Sequence, residues 1–131
     1  MFILDTDTCM YALKQDENVL QHLLSTPRED VLVSVITEAE LRTGAVKSTS
    51  PVKTLHIVEN FLRPLTLIDF TSDDAMAYAG VRAKLERAGT PIGPLDTLIA
   101  SQAVGRRLTL VTNNEREFRR VTGLTIANWN R

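Results

Sequence analysis

Short apolar runs alternate along the chain with longer segments in which apolar residues recur every three or four positions. Short runs bounded by turn-forming residues are typical of strands buried on both faces, and the longer period is typical of helices. The runs predict strands at residues 2–4, 31–35, 65–68, 108–111 and 124–126.

Helices are predicted between these strands, and several have residues that mark their ends. Two helical segments follow the first strand, and the second begins near Asp16 and stops at Pro27. Gly89 ends a long helix, and Pro94 suits the first position of the next one. The helices predicted after the second strand span residues 37–47, 51–62, 72–88, 94–107 and 115–120.

The alternation of strands and helices predicts an α/β fold with three layers, in which a central, mostly parallel sheet of about five strands is flanked by helices. The chain has 131 residues, a common size for one domain, and shows no repeat or low-complexity segment. We therefore expect a single domain over residues 1–131. In such sheets the functional crevice lies beyond the carboxyl ends of the strands.

The composition is that of an ordinary globular protein and excludes several other classes. Hydrophobic residues make up 44% of the chain and charged residues 24%, and Cys9 is the only cysteine, so no intramolecular disulfide can form. No apolar stretch approaches the roughly 18 residues that a membrane-spanning helix needs, and the first residues do not resemble a signal peptide. We expect a cytoplasmic protein that makes no membrane contact.

The formal net charge of −1 hides an uneven distribution. Residues 1–104 carry 9 basic and 14 acidic residues, whereas residues 105–131 carry 6 basic and 2 acidic residues. A basic segment of this kind can follow a phosphate backbone, although it is as often a solvated surface. Its basic residues are Arg106, Arg107, Arg116, Arg119, Arg120 and Arg131.

Three acidic residues stand at predicted element boundaries. Asp5 directly follows the first strand, Glu40 lies in the first turns of a helix, and Asp96 comes two residues after Pro94. Carboxylates that converge repel one another and raise each other's pKa values unless a cation lies between them. Mg²⁺ and Mn²⁺ prefer such oxygen ligands and leave positions open for water and phosphate. Convergence of the three acids would therefore predict a site that cleaves phosphodiesters.

Each of these acids also has a purely structural interpretation. Glu40 follows Thr37 by three residues, the spacing of a capping box at a helix start. Asp96 would be stabilised by the helix dipole, and Asp5 could form a turn. Asp5 is the least well explained in this way, because an acid buried after three apolar residues is costly without a partner.

Four segments carry a more specific pattern: FILDTDTC, SVITEAELRTGAVKS, IGPLDTLIASQA and LTLVTNNEREFRRVTGLTIANW. In this order and at these separations, they resemble the PIN-domain ribonuclease toxins called VapC, from Phe2 to Trp129. The resemblance implies a PIN-like three-layer fold and an acidic triad of Asp5, Glu40 and Asp96 that holds Mg²⁺ or Mn²⁺.

The chain departs from the wider PIN pattern at the fourth acidic position. The family often has an acid there, two residues past a Thr, whereas this chain has Asn114. The resemblance to VapC members with the same TNN segment implies that Glu117 substitutes as a catalytic acid. It also implies supporting roles beside the metal for Thr6, Asp7, Thr112 and Asn114, although ordinary turn chemistry explains both threonines equally well.

The resemblance further implies a function and partners. A metal held by Asp5 and Asp96, with Glu40 close by, would activate water for attack on an RNA phosphodiester. Salt-sensitive contacts to the RNA backbone are expected from Arg107, Arg116, Arg119 and Arg120. Members with the TNN-type ending include nucleases of initiator tRNA. The family forms homodimers and binds a VapB-type antitoxin, through which the complex reaches promoter DNA.

Two other functions stay open on the sequence alone. The strand followed by Asp5, Thr6 and Asp7 also resembles the start of a haloacid-dehalogenase-like phosphatase, although Cys9 and the absence of a glycine after Asp7 depart from that pattern. The second alternative is a PIN-like module that has lost activity and only binds, because Asn114 replaces an acid.

Overall fold

The fold is built on a five-stranded parallel sheet. The computed structural model describes all 131 residues. The strands are β1 (Phe2–Leu4), β2 (Val31–Ser34), β3 (Thr66–Ile68), β4 (Thr109–Val111) and β5 (Thr125–Ala127). They lie in the order β3-β2-β1-β4-β5, and every neighbouring pair is parallel. The predicted α/β fold with a sheet of about five strands is confirmed.

Seven α-helices connect the strands. They are α1 (Thr6–Leu13), α2 (Glu17–Ser25), α3 (Val35–Val46), α4 (Pro51–Leu62), α5 (Ser72–Arg87), α6 (Pro94–Arg106) and α7 (Glu115–Phe118). A short 3₁₀ turn, Arg28–Asp30, precedes β2. None of the helices is both long enough and apolar enough to cross a membrane.

The sheet separates two apolar cores, which gives the molecule its three layers. Side chains alternate between the two faces along each strand. Leu4 of β1 packs with Val33 and Val111 in the first core, on the side of α1 to α4. Ile3 packs instead with Leu110 in the second core, on the side of α5 to α7. The central strands are therefore covered on both faces, as their short apolar runs require.

Helix α3 begins two residues earlier than the sequence predicted. Ser34 caps it, because its hydroxyl accepts a hydrogen bond from the Ile36 N–H at 3.0 Å. Thr37 is therefore inside the helix and fully buried, and the capping-box interpretation of Glu40 is wrong. Little in the sequence marks this start, since the apolar run continues through Val35 and Ile36.

A buried ion pair joins α5 to α6. Asp74 closes a capping box with Thr71 at the start of α5, and only 3% of its side chain is exposed. The Arg106 guanidinium at the end of α6 donates to both Asp74 carboxylate oxygens, at 3.0 and 2.8 Å. These hydrogen bonds outweigh burial and lower the Asp74 pKa to about 2. Arg106, although it belongs to the basic segment, therefore takes part in a contact that stabilises the fold.

Asp74→Ala is expected to lower the free energy of unfolding by about 2 kcal/mol, because folding lowers the pKa of this carboxyl from 3.8 to about 2. The contribution is complete above about pH 4 and is lost as the pH falls from about 4 to 2, since protonation removes the charge that Arg106 binds. Urea unfolding of the wild type and the variant at neutral and acidic pH measures both effects.

The exposed pair Arg82–Glu86, on the same helix as Asp74, provides the matched control. Its N–O distance is 3.4 Å, and more than half of each side chain is exposed. Glu86→Ala should therefore change the free energy of unfolding by less than about 0.5 kcal/mol. Equal losses for Asp74→Ala and Glu86→Ala would contradict the structural role of the buried pair.

Candidate active site

Asp5 is held at the carboxyl end of the central strand β1. It is 2% exposed and caps α1, accepting a hydrogen bond from the Thr8 N–H at 2.8 Å. Its own N–H donates to the Val111 carbonyl, so Asp5 is fixed to β4 as well. Burial raises the Asp5 pKa, although hydrogen bonds from Thr112 and Thr8 act in the opposite direction. The Asp5 carboxylate is thus a buried group with little freedom to move.

Glu40 approaches the same edge of the sheet from α3. The Thr6 hydroxyl donates a hydrogen bond to Glu40 Oε1 at 2.6 Å. The buried Thr37 hydroxyl lies 3.2 Å from the Thr6 hydroxyl. Since Thr6 directly follows Asp5, these contacts tie the start of α1 to α3 and hold Glu40 near the end of β1.

Asp96 lies in the first turn of α6 and is surrounded by other acids. Burial and then the negative charges of Glu117, Asp5, Glu40 and Asp7, in that order, raise its pKa to about 6. These acids come from one strand end and three helices. The structure thus brings together the three acids that the sequence singled out, and Glu117 and Asp7, which the resemblance implicated, act on the same group.

Glu117 reaches this acidic group from α7. Its Oε1 accepts a hydrogen bond from the Gly93 N–H at 3.0 Å, and its Oε2 accepts one from the Asn114 side-chain amide at 2.6 Å. Asn114 therefore binds a carboxylate at the place where the wider family has an acid. Sequence reasoning missed the Gly93 contact, because a backbone N–H leaves no signal in residue type.

Three arginines of the basic segment lie on or just after α7, close to Glu117. Arg116 is exposed on the helix. Arg119 pairs with Glu115 at 3.2 Å. Arg120 donates to a backbone carbonyl in the loop before α6 at 3.1 Å. Arg116 thus keeps its charge unpaired within the chain, whereas the other two already have partners.

Arg107 lies away from the acidic group, although the sequence placed it with the other arginines. It ends α6 in a left-handed backbone conformation. Asp96 is in the first turn of the same helix, so the two residues are roughly 16 Å apart along the helix axis at about 1.5 Å per residue. The structure does not bring Arg107 to the carboxyl ends of the strands.

The acidic group suits a hard divalent cation through its charge. No three Asp, Glu, His or Cys side chains lie in an arrangement that would enclose a metal ion by themselves. Mg²⁺, however, often binds through only one or two carboxylates and keeps several waters. Cys9 supplies no thiolate, because burial raises its pKa well above the usual range. Oxygen donors alone are therefore available, and a cation would relieve their mutual repulsion.

Comparison with known proteins identifies the family. The family model described as PIN domain matches residues 2–124. The tRNA(fMet)-specific endonuclease VapC of Salmonella typhimurium is 39% identical over 98% of this chain and 97% of its own length. Ribonuclease VapC2 of Rickettsia felis is 36% identical over 100% of this chain and 99% of its own length.

Two solved structures share the fold over nearly the whole chain. The DNA-bound VapBC of Salmonella typhimurium has a TM-score of 0.92 at 42% identity, covering 98% of this chain and 97% of that chain. VapBC2 of Rickettsia felis, bound to a DNA fragment from its promoter, has a TM-score of 0.91 at 36% identity, covering 98% of both chains. These matches rule out the haloacid-dehalogenase-like phosphatase that the sequence alone left open. The chain belongs to the PIN-domain family and, within it, to the VapC ribonucleases.

Proposed function

We propose that this chain is a Mg²⁺- or Mn²⁺-dependent endoribonuclease that acts as the toxin of a toxin–antitoxin pair. Structured RNA is its substrate class. Initiator tRNA is the first candidate, because a relative with 39% identity is named a tRNA(fMet)-specific endonuclease. A VapB-type antitoxin neutralises it, in line with the similar VapBC complexes.

The observation that carries the proposal is the crowding of acids around Asp96. Burial and then the negative charges of four other carboxylates raise its pKa to about 6. Packing like charges together costs free energy, and folding alone gives no reason to accept that cost. A divalent cation bound between the carboxylates offsets this free-energy cost and can take part in catalysis.

Asp5, Asp96 and Glu40 are the residues that would hold the ion. When bound, such an ion lowers the pKa of a coordinated water and offsets charge on the phosphate oxygens. The chain itself supplies orientation, because the Thr6 hydroxyl fixes Glu40, and hydrogen bonds from α1 and from the end of β4 fix Asp5. Ligands held in this way need little rearrangement on binding the ion and substrate.

The basic residues on and after α7 extend the site toward an RNA backbone. Arg116 is exposed and next in sequence to Glu117. Its guanidinium is available to a phosphate, whereas Arg119 must exchange its contact with Glu115. Binding through such contacts weakens as the salt concentration rises.

The helices that cover the first core expose apolar side chains that protein partners can contact. Large apolar side chains stay exposed on α2, α3 and α4. They are Leu24, Val46, Val52 and Ile57, with 85%, 62%, 72% and 45% exposure. Apolar residues that form a contiguous exposed surface mark protein interfaces. We assign them to contacts with the antitoxin and with a second copy of the chain in a homodimer, and we assign promoter DNA binding to the antitoxin.

Asp96→Asn is expected to lower the rate of RNA cleavage by about 100-fold or more, because it removes a ligand of the ion. The metal-free variant should also melt at a higher temperature than the wild type at neutral pH, since one of the repelling charges is gone. Cleavage of initiator tRNA in Mg²⁺ and thermal melting of the same preparation measure the two effects.

Asp69→Asn is the matched control for this substitution. Asp69 is an exposed acid that follows β3, outside the acidic group. Its replacement should leave the cleavage rate unchanged and should not raise the melting temperature, because its charge acts on Arg106 and not on the acidic group. Wild-type cleavage by Asp96→Asn would contradict the assignment of the site.

Mn²⁺ should raise the melting temperature of the wild type in a concentration-dependent manner, because an ion that binds only the folded state stabilises it. Asp5→Asn should lose most of this rise. The measurement also tests the inactive-module alternative, since a scaffold that only binds partners would show no rise with Mn²⁺ and no metal-dependent cleavage of tRNA.

A further inference from the structure

A chain of hydrogen bonds connects Asp5 to the helix that carries Asp96. The Asp5 N–H donates to the carbonyl of Val111, the last residue of β4, at 3.0 Å, and the hydroxyl of the next residue, Thr112, accepts from the Asn114 N–H at 2.9 Å. The Asn114 side-chain amide then donates to Glu117 Oε2 at 2.6 Å. The loop after β4 is thereby bonded at one end to Asp5 and at the other to α7.

The second oxygen of Glu117 binds the residue that caps α6. Gly93 donates its N–H to Glu117 Oε1 at 3.0 Å. The Gly93 carbonyl accepts from the Thr97 N–H at 2.9 Å and from the Thr97 hydroxyl at 2.8 Å, which starts α6. A Cβ placed on Gly93 would lie 3.6 Å from Asp96 Oδ2, so the Asp96 carboxylate folds back over this residue. Fixing Gly93 therefore fixes Asp96.

We infer that Glu117 is a positioning residue, and that the Asn114–Glu117–Gly93 bridge sets the placement of Asp96 relative to Asp5. This inference rests on the proposed function, because it concerns the geometry of the same acidic group. Both Glu117 oxygens are engaged by donors of the chain itself. Asn114 is required because its side-chain amide donates to Glu117. An acid at position 114, as the wider family often has, is therefore not needed.

Asn114→Asp is expected to impair the site, although it supplies the acid that the wider family has at this place. It puts a second carboxylate where the amide now donates to Glu117 at 2.6 Å, and two carboxylates at that distance repel each other. Asn114→Asp should therefore break the bridge and weaken both Mn²⁺ binding and cleavage, by about 10- to 100-fold.

Glu117→Gln and the double variant Asn114→Asp/Glu117→Gln separate positioning from metal ligation. The glutamine amide introduced at position 117 can still accept from Gly93 with its oxygen and donate to residue 114 with its nitrogen. The single variant should keep the bridge once the Asn114 amide turns its oxygen toward that glutamine nitrogen. The double variant should restore the bridge with the charge moved from position 117 to position 114.

The Gly93 amide gives a readout that does not depend on catalysis. Hydrogen exchange of this amide, followed by ¹H–¹⁵N NMR on the metal-free protein, should be slow in the wild type, in Glu117→Gln and in the double variant. It should be fast in Asn114→Asp. Mn²⁺ affinity and the kcat for initiator tRNA should fall most in Asn114→Asp, should fall less in Glu117→Gln, which keeps the bridge but loses one negative charge of the acidic group, and should recover in the double variant, while KM for the tRNA stays unchanged.

Three results would overturn the inference. One is a Gly93 amide that exchanges equally in the wild type and Asn114→Asp. Another is faster cleavage by Asn114→Asp than by the wild type, which would mean that position 114 needs an acid. The third is loss of Mn²⁺ binding in Glu117→Gln and in the double variant, which would make Glu117 a ligand. A wild type that neither binds Mn²⁺ nor cleaves RNA instead overturns the proposed function, and the Gly93 exchange pattern then tests the bridge alone.

Discussion

Repulsion between carboxylates is the constraint around which the functional edge of this fold is arranged. Burial raises the pKa of Asp96 most, and the negative charges of Glu117, Asp5, Glu40 and Asp7 raise it further. Such a group would spread apart if its members were free to move. Each is instead anchored by its own element, and the two apolar cores on either side of the sheet hold those elements in place.

The topology of the sheet explains why residues so distant in sequence meet. The strand order β3-β2-β1-β4-β5 changes direction between β1 and β4, and a crevice opens at the carboxyl ends of the strands at such a point. Asp5 follows β1 there, and Thr112 follows β4. Helices α3 and α6 begin near the same edge and add Glu40 and Asp96. The site is therefore a consequence of parallel strand pairing.

Much of this was predictable from sequence, for identifiable reasons. The strands and the acids at their ends follow from short apolar runs and from the rules of parallel sheets, so residues such as Asp5 stand out. The start of α3 was misplaced because Ser34 interrupts an apolar run without a visible break. Contacts between remote elements left no local pattern, which is why Arg106 was grouped with the basic segment and the Gly93 contact of Glu117 went unseen.

We propose that the acids around Asp96 form a site for a hard divalent cation. Anomalous diffraction from crystals of the protein soaked in Mn²⁺ tests it most directly. We expect a Mn²⁺ peak in contact with the carboxylates of Asp5 and Asp96. Crystals that contain saturating Mn²⁺ but show no peak between these two residues would contradict it.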